Sequence, residues 1–92
     1  MSVYVDTMRD TVPGPQWPLE EACHLFADGM PELLRLAGRL GLGPHCLHAV
    51  RGFPHFDLTR AKRRRAIEAG ARPVSQKWAV EWRRKGRSTN DE

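Results

Sequence analysis

The pattern of apolar and polar positions along the chain predicts four short strands. Strand-forming residues are concentrated in four segments, which are 2–6, 21–27, 46–50 and 71–74. Pro73 places the last of these at a sheet edge, because proline cannot donate to a strand ladder. Between the first two segments, residues 7–19 are rich in proline and glycine, which predicts a Pro-rich loop. A second loop is predicted at residues 51–54.

Helical spacing predicts three helices. The clearest helix carries its apolar side chains at i, i+3, i+4 and i+7, namely Leu33, Leu36, Ala37 and Leu40. We expect this helix to begin after Gly29 and to end at Gly41. A second helix is predicted over residues 60–69, with Thr59 as its N-cap, and a third helix after Ser75.

Strands that alternate with helices are usually joined by right-handed crossovers into a parallel sheet. We therefore expect a single small α/β domain over residues 1–87, with about four strands in a mostly parallel sheet and three helices, followed by a disordered tail at 88–92. Ligands on such sheets bind beyond the carboxyl ends of the strands, so Asp6, Asp28 and residues 55–59 are expected to share one edge. A chain of 92 residues buries a modest core, which leaves homo-oligomerisation open.

Charge is distributed unevenly along the chain. Residues 1–50 carry three basic and six acidic groups, whereas residues 51–92 carry twelve basic and five acidic groups, which gives net charges of −3 and +7. Such an asymmetry favours a basic surface that binds nucleic acid or another polyanion, with Trp78 or Trp82 stacking a base where they are exposed. The side chains expected to contact the polyanion are Arg64, Arg65, Arg83, Arg84 and Lys85.

Hydropathy and cysteine content indicate the compartment. No apolar run approaches the roughly 20 residues of a membrane span, and the N-terminus lacks the basic and apolar regions of a signal peptide. We therefore expect a cytoplasmic protein without membrane contact. Cys23 and Cys46 are expected to be reduced and buried rather than paired.

Residues 54–63 combine an imidazole, a carboxylate, a hydroxyl and several cations where a loop becomes a helix. The unpaired N–H groups of a helix N-terminus attract anions, so this segment predicts a site for a phosphate-bearing ligand such as a nucleotide. Asp57 and Thr59 would shape the helix entrance, and Lys62 with Arg63 would neutralise the phosphate. In the simpler interpretation, Asp57 and Thr59 only cap the helix. The candidate ligand-binding residues are Asp6, Asp28, Thr59, Lys62 and Arg63.

Histidine and carboxylate side chains support a second hypothesis, a small hydrolase that uses a metal ion or acid–base catalysis. Imidazole and carboxylate ligands suit zinc, manganese or iron, and the candidate ligands are His24, Asp28, His55 and Asp57. His55 and Asp57 are the catalytic candidates, because a histidine beside a carboxylate can transfer protons near neutral pH. Cys23, Cys46 and His48 form a weaker alternative metal set. The pattern does not name a cofactor.

Several short motifs occur in order over most of residues 2–72. They are Val3-Tyr4-Val5-Asp6, Cys23-His24-Leu25, Ala27-Asp28, Glu32-Leu33, Leu40-Gly41-Leu42, His55-Phe56-Asp57-Leu58-Thr59, Lys62-Arg63, Ala66 and Gly70-Ala71. In this combination the chain resembles a family of short bacterial and phage proteins catalogued as a domain of unknown function, number four-thousand-thirty-one in that series. The resemblance implies little about activity, because that family has no assigned one. Its occurrence in phages adds a third hypothesis, an inhibitor that binds a host protein.

Overall fold

A computed structural model describes residues 2–50 and 52–90 of the chain. The strands are β1 Val3–Val5, β2 Arg9–Asp10, β3 Glu21–Ala27, β4 His48–Val50, β5 Phe53–Leu58 and β6 Arg72–Pro73. The α-helices are α1 Met30–Arg39, α2 Arg60–Glu68 and α3 Gln76–Asn90, and a 3₁₀ turn covers Pro44–Cys46. No helix in these two ranges is long and apolar enough to cross a membrane.

The strands form one mixed sheet in the order β4-β5-β3-β1-β6, with β2 paired to β3 as well. Among the pairs in the described residues, β1–β6 is parallel and the rest are antiparallel. The α/β class with three helices is confirmed, but the expectation of about four strands in a mostly parallel sheet is wrong. A helix connects β3 to β4, and these two strands run parallel to each other, as expected for a crossover connection. However, β5 turns back from β4 in a hairpin and lies between them, which makes both contacts antiparallel.

Strand β5 replaces part of the loop that the sequence predicts at residues 51–54. Phe53 and Pro54 begin this strand, and residue 51 lies outside the described residues. Pro54 fits because the pairing between β3 and β5 stops at Leu25–Phe56, so proline lies beyond the last paired position on that side. Residues 55–58, which the sequence pattern leaves outside the strands, are therefore part of the sheet.

The two faces of the sheet are covered unequally. Helices α1 and α2 cover one face, here called the α1–α2 face, where Val5, Cys23, Leu25, Phe56 and Leu58 are buried against them. Helix α3 packs on the opposite face, the α3 face, and the buried residues there are Tyr4, Phe26, Phe53 and Ala79. Because this second cluster is much smaller, part of the α3 face carries polar side chains instead of a core.

The predicted helix ends are mostly confirmed. The hydroxyl of Thr59 accepts a hydrogen bond from the backbone N–H of Lys62 at 3.1 Å, and that of Ser75 accepts one from Trp78 at 3.0 Å. Gly41 follows α1 with a φ of 82°, which suits glycine. Helix α3 includes residues 88–90 of the predicted tail, and residues 91 and 92 lie outside the described residues.

Candidate metal-binding site

Four polar side chains form a cluster on the part of the α3 face that α3 leaves open. His24 on β3 lies directly opposite Asp57 on β5, and His55 on β5 lies opposite His48 on β4. Opposite residues of an antiparallel pair share a face, as do residues two apart along a strand. His24, His48, His55 and Asp57, called the His–Asp cluster below, therefore project from three neighbouring strands on one side of the sheet.

The spacing of the donor atoms suits a single metal ion. One ligand atom from each of His24, His55 and Asp57 can be chosen so that all three lie within 4.8 Å of one another. Ligand bonds of about 2.0–2.2 Å place the donor atoms around zinc roughly 3–4 Å apart, so side-chain movements of about 1 Å would close the set around an ion. His48 extends the cluster, with its Nε2 3.4 Å from Asp57 Oδ2.

Asp6 orients the imidazole of His24. One oxygen of this buried carboxylate accepts a hydrogen bond from the His24 backbone N–H at 2.6 Å, and the other lies 2.8 Å from His24 Nδ1. The carboxylate acts as the acceptor, so Nδ1 carries the proton and Nε2 is the ring nitrogen left to face an ion. A carboxylate behind a histidine in this way is a common arrangement in metal sites, where it fixes the tautomer and strengthens the ligand.

A backbone carbonyl orients His55 in the same sense. His55 Nδ1 lies 2.9 Å from the carbonyl oxygen of Phe53, which can only accept, so Nδ1 donates and Nε2 is free to bind an ion. Burial lowers the pKa of His55 from its ordinary value, although the hydrogen bond to Phe53 opposes this shift. The ring is therefore neutral at neutral pH, which is the form that binds metals.

Asp57 presents a buried oxygen to the same point. Its Oδ1 has no hydrogen-bond partner within the described residues. Basic nitrogens near it are His55 Nε2 at 3.8 Å and a terminal guanidinium nitrogen of Arg9 at 3.9 Å. Leaving a buried carboxylate oxygen without a hydrogen bond costs free energy, and a bound cation would remove that cost.

Arginine side chains surround the cluster. Arg9 faces Asp57, and Arg63 donates from Nε to the backbone oxygen of Asp6 at 2.8 Å. The guanidinium of Arg83 lies 4.0 Å from the centre of the Phe53 ring, and that ring stacks on His55 with centres 4.9 Å apart. The site is therefore acidic at its centre and basic at its margin.

A cavity of about 480 Å³ opens beside the cluster. His48 and Asp57 form one wall, and Trp17, Leu42 and Leu47 contribute to the others. The indole N–H of Trp17 donates to the backbone oxygen of Glu21 at 3.1 Å, which fixes the ring against the start of β3. The Pro-rich loop thus contributes an aromatic wall next to the candidate metal ligands.

Asp28 does not belong to this site. It accepts hydrogen bonds from the Tyr4 hydroxyl at 3.0 Å, the Ser2 backbone N–H at 3.2 Å and the indole of Trp82 at 3.3 Å. The expectation that Asp6 and Asp28 share one edge is wrong, because β1 and β3 are antiparallel and their carboxyl ends lie at opposite edges. Of the four predicted metal candidates, the structure brings together His24, His55 and Asp57.

The alternative set of Cys23, Cys46 and His48 is divided between the two faces. Cys23 is buried on the α1–α2 face, Cys46 packs against the same core, and His48 lies in the His–Asp cluster on the other face. Both cysteines are free, and burial raises the pKa of the Cys23 thiol to about 12. A thiol that keeps its proton is a poor metal ligand, so this set does not form a site.

The predicted anion site at the start of α2 is also divided. His55 and Asp57 project from the α3 face, whereas the helix that Thr59 caps packs on the α1–α2 face. The Thr59 hydroxyl already satisfies the backbone N–H of Lys62. These observations match the simpler interpretation of Thr59 as a helix cap. They also separate the side chains of His55 and Asp57 from the start of α2, because these lie on the opposite face of the sheet.

The basic residues predicted to bind a polyanion lie on two helices. Arg64 and Arg65 are exposed on α2, and Arg83, Arg84 and Lys85 lie on α3, which packs on the other side of the sheet. Trp78 and Trp82 contact the Tyr4 ring, with ring centres 4.9 and 5.8 Å apart. The two basic groups therefore lie on helices that pack on opposite faces of the sheet, and both tryptophans help to attach α3 to the sheet.

Sequence reasoning missed three contributors to the site. Arg9 and Trp17 lie in a stretch whose prolines suggested only a loop, and His48 was grouped with the cysteines. A signal for the cluster was present in β5, where buried Phe56 and Leu58 alternate with His55 and Asp57. If this segment is interpreted as a strand, the alternation places both polar side chains on one face.

Comparisons with known proteins match the chain to a protein family. No curated protein and no solved structure matches the chain. A family described as "Protein of unknown function (DUF4031)" matches residues 3–86. The match includes Asp6, His24, His55 and Asp57, and with it the resemblance noted from the sequence motifs is confirmed. The chain belongs to this family of proteins of unknown function.

Proposed function

We propose that this protein is a small metal-dependent hydrolase, whose ion is held by Nε2 of His24, Nε2 of His55 and Oδ1 of Asp57. The observation that carries the proposal is the convergence of three donors, with both imidazoles held through Nδ1 by acceptors behind them. A histidine pair that served only to pack the sheet would not require ligand atoms of both imidazoles and of Asp57 to lie within 4.8 Å of one another.

The donor set favours a catalytic ion over a structural one. Structural zinc sites are closed by four protein ligands, often cysteines, whereas catalytic sites have three protein ligands and an open position for water. Two imidazoles and one carboxylate suit zinc, manganese, cobalt or iron. An ion with an open position activates a bound water as a nucleophile, which is the chemistry of hydrolysis.

His48 is placed to assist this chemistry. Its side chain is 43% exposed, and its Nε2 lies 3.4 Å from Asp57 Oδ2, next to the proposed ion. An imidazole in this position can accept a proton from the attacking water and return it to the leaving group. We assign His48 this proton-transfer role and leave the three-donor set to hold the ion.

Titration of the metal-free protein with Zn²⁺, Mn²⁺ and Co²⁺ by calorimetry tests the proposal. We expect one ion per chain, and for Co²⁺ a visible absorption spectrum typical of nitrogen and oxygen ligands. Asp57→Asn preserves the size of the side chain and should weaken binding at least tenfold. The metal-loaded wild type should also release p-nitrophenol from p-nitrophenyl phosphate, and Asp57→Asn should not.

A matched control comes from His45, an exposed histidine on the 3₁₀ turn outside the donor set. His45→Gln removes an imidazole without touching the proposed ligands, so its metal affinity should equal that of the wild type. Equal affinities in the wild type and in Asp57→Asn would refute the metal site. Metal binding without hydrolysis of p-nitrophenyl phosphate, p-nitrophenyl acetate or a peptide would leave a metal-binding protein and remove the hydrolase.

A further inference from the structure

The cavity beside the His–Asp cluster indicates which substrate the proposed hydrolase takes, and this inference rests on that proposed function. We propose that the substrate is a phosphate ester with a planar ring, of the kind that a mononucleotide represents. The phosphoryl group would lie at the ion, and the ring would lie in the cavity against Trp17.

The charges around the ion favour an anionic group. The guanidinium of Arg9 faces the carboxylate of Asp57, and Arg63 donates to the backbone oxygen of Asp6. A divalent ion together with these two arginines outweighs the charges of the Asp6 and Asp57 carboxylates, so the loaded site carries excess positive charge. Arg9 is 35% exposed at its side chain and reaches to 3.9 Å from Asp57 Oδ1. Its guanidinium can therefore donate to an oxygen of a phosphoryl group bound at the ion, in the geometry that arginine prefers for phosphate.

The ion and the cavity are directly connected. His48 and Asp57 belong to both the cluster and the cavity wall, so no layer of protein separates them. The cavity volume of about 480 Å³ lies within the range of ordinary small-molecule sites, which is about 300–1,000 Å³. A ligand anchored by its phosphate at the ion would place its remaining atoms in this space.

Trp17 makes the cavity suitable for a planar ring. Its indole N–H donates to Glu21, and its backbone oxygen accepts a hydrogen bond from Gly14 at 2.9 Å, so the ring and the loop that carries it are both held. A fixed aromatic wall stacks on a ligand ring with little loss of side-chain freedom. Leu42 and Leu47 provide apolar contacts, and the amide of Gln16 can pair with polar atoms at the ring edge.

The chemical step is a simple hydrolysis. The water oxygen forms a bond to phosphorus while the bond from phosphorus to the ester oxygen breaks. One proton of the water passes by way of His48 to the departing ester oxygen, which leaves as an alcohol. The products are inorganic phosphate and the ring-bearing alcohol, and the reaction needs no oxidant, reductant or second substrate.

The test compares three ligands on the zinc-loaded protein: adenosine 5′-monophosphate, ribose 5-phosphate, which lacks the ring, and inorganic phosphate. All three should bind, and the monophosphate should bind about tenfold more tightly than ribose 5-phosphate because of stacking on Trp17. In Trp17→Leu this ratio should fall to about one, while zinc affinity stays unchanged. Val12→Ala, a change at a 91% exposed position of the same loop, is the matched control and should preserve the ratio.

Each outcome bears on a different part of the proposal. Equal binding of the nucleotide and ribose 5-phosphate by the wild type would overturn the ring site and leave the metal centre. Failure of all three ligands to bind the zinc-loaded protein would overturn the phosphate ester as substrate. Failure to bind zinc, manganese and cobalt would refute the proposed function itself. A melting curve for Trp17→Leu, together with its zinc affinity, separates a loss of the ring contact from a loss of the fold.

Discussion

Replacing Asp6 with asparagine tests the link between the fold and the proposed metal site. Asp6 is 3% exposed, and its two oxygens hold the backbone N–H and the Nδ1–H of His24. Asparagine has nearly the same shape but has one oxygen and one NH₂ group. If the oxygen keeps the bond to the backbone N–H, the new NH₂ group faces Nδ1–H, and two donors meet.

The cost of this mismatch can be worked out from the two hydrogen bonds. The bond at 2.6 Å is kept, and the bond to Nδ1 at 2.8 Å is lost, which should lower the free energy of unfolding by about 1–2 kcal/mol. His24 can restore a hydrogen bond by moving its proton to Nε2, so that Nδ1 accepts from the asparagine. In that tautomer Nε2 cannot bind an ion, and metal affinity should fall by about 10–100-fold.

The assay is urea unfolding of the metal-free protein together with calorimetric titration of Zn²⁺. Asp10→Asn, at an exposed position at the end of β2, removes the same charge without a contact to His24, so both quantities should match the wild type. A loss of stability with unchanged metal affinity in Asp6→Asn would show that His24 is not a ligand. Unchanged stability together with unchanged metal affinity would show that the carboxylate does not hold the ring.

Four further predictions concern the fold. Iodoacetamide at pH 8 should modify Cys46 and leave Cys23 intact until denaturant is added, because burial raises the pKa of the Cys23 thiol to about 12; equal rates measured by mass spectrometry would contradict this. Thr59→Ala should lower the free energy of unfolding by about 1 kcal/mol and Thr59→Ser by almost nothing, and equal losses in urea would show that the hydroxyl is not the cap. Gly70→Ala should cost about 1–2 kcal/mol in the same assay, because φ is 111° and only the backbone is strained. Gly38→Ala, inside α1 and in open space, should instead stabilise the protein, and a loss there would contradict that reasoning.

Local signals in the sequence were sufficient to predict the elements whose apolar residues follow a strand or helix pattern along their full length. Strand β3 covers the predicted residues 21–27, and α1 buries Leu33, Leu36 and Ala37 as its spacing requires. Strand order could not be predicted in the same way. It depends on the hairpin that inserts β5 between β3 and β4, and the proline near the start of β5 concealed that strand.

The sequence predicted which types of residue form the candidate site, but it did not predict the correct set of residues. His24, His55 and Asp57 were singled out, yet Asp28 was grouped with them because a parallel sheet would place all strand ends at one edge. The antiparallel pairing of β1 and β3 instead leaves Asp6 beside His24. Contacts of this kind link residues distant in the chain, and residue spacing alone does not reveal them.

Phe53 takes part in both the α3 core and the proposed metal site. Its ring packs against Phe26 and beneath Arg83, whereas its carbonyl oxygen holds Nδ1 of His55. An ion at His55 would therefore favour the position of Phe53 that α3 requires, and a docked α3 would favour the ring orientation that the ion requires. Such coupling is reciprocal by thermodynamic linkage. Metal binding should then slow amide hydrogen exchange in α3, although no residue of that helix is among the three proposed ligands.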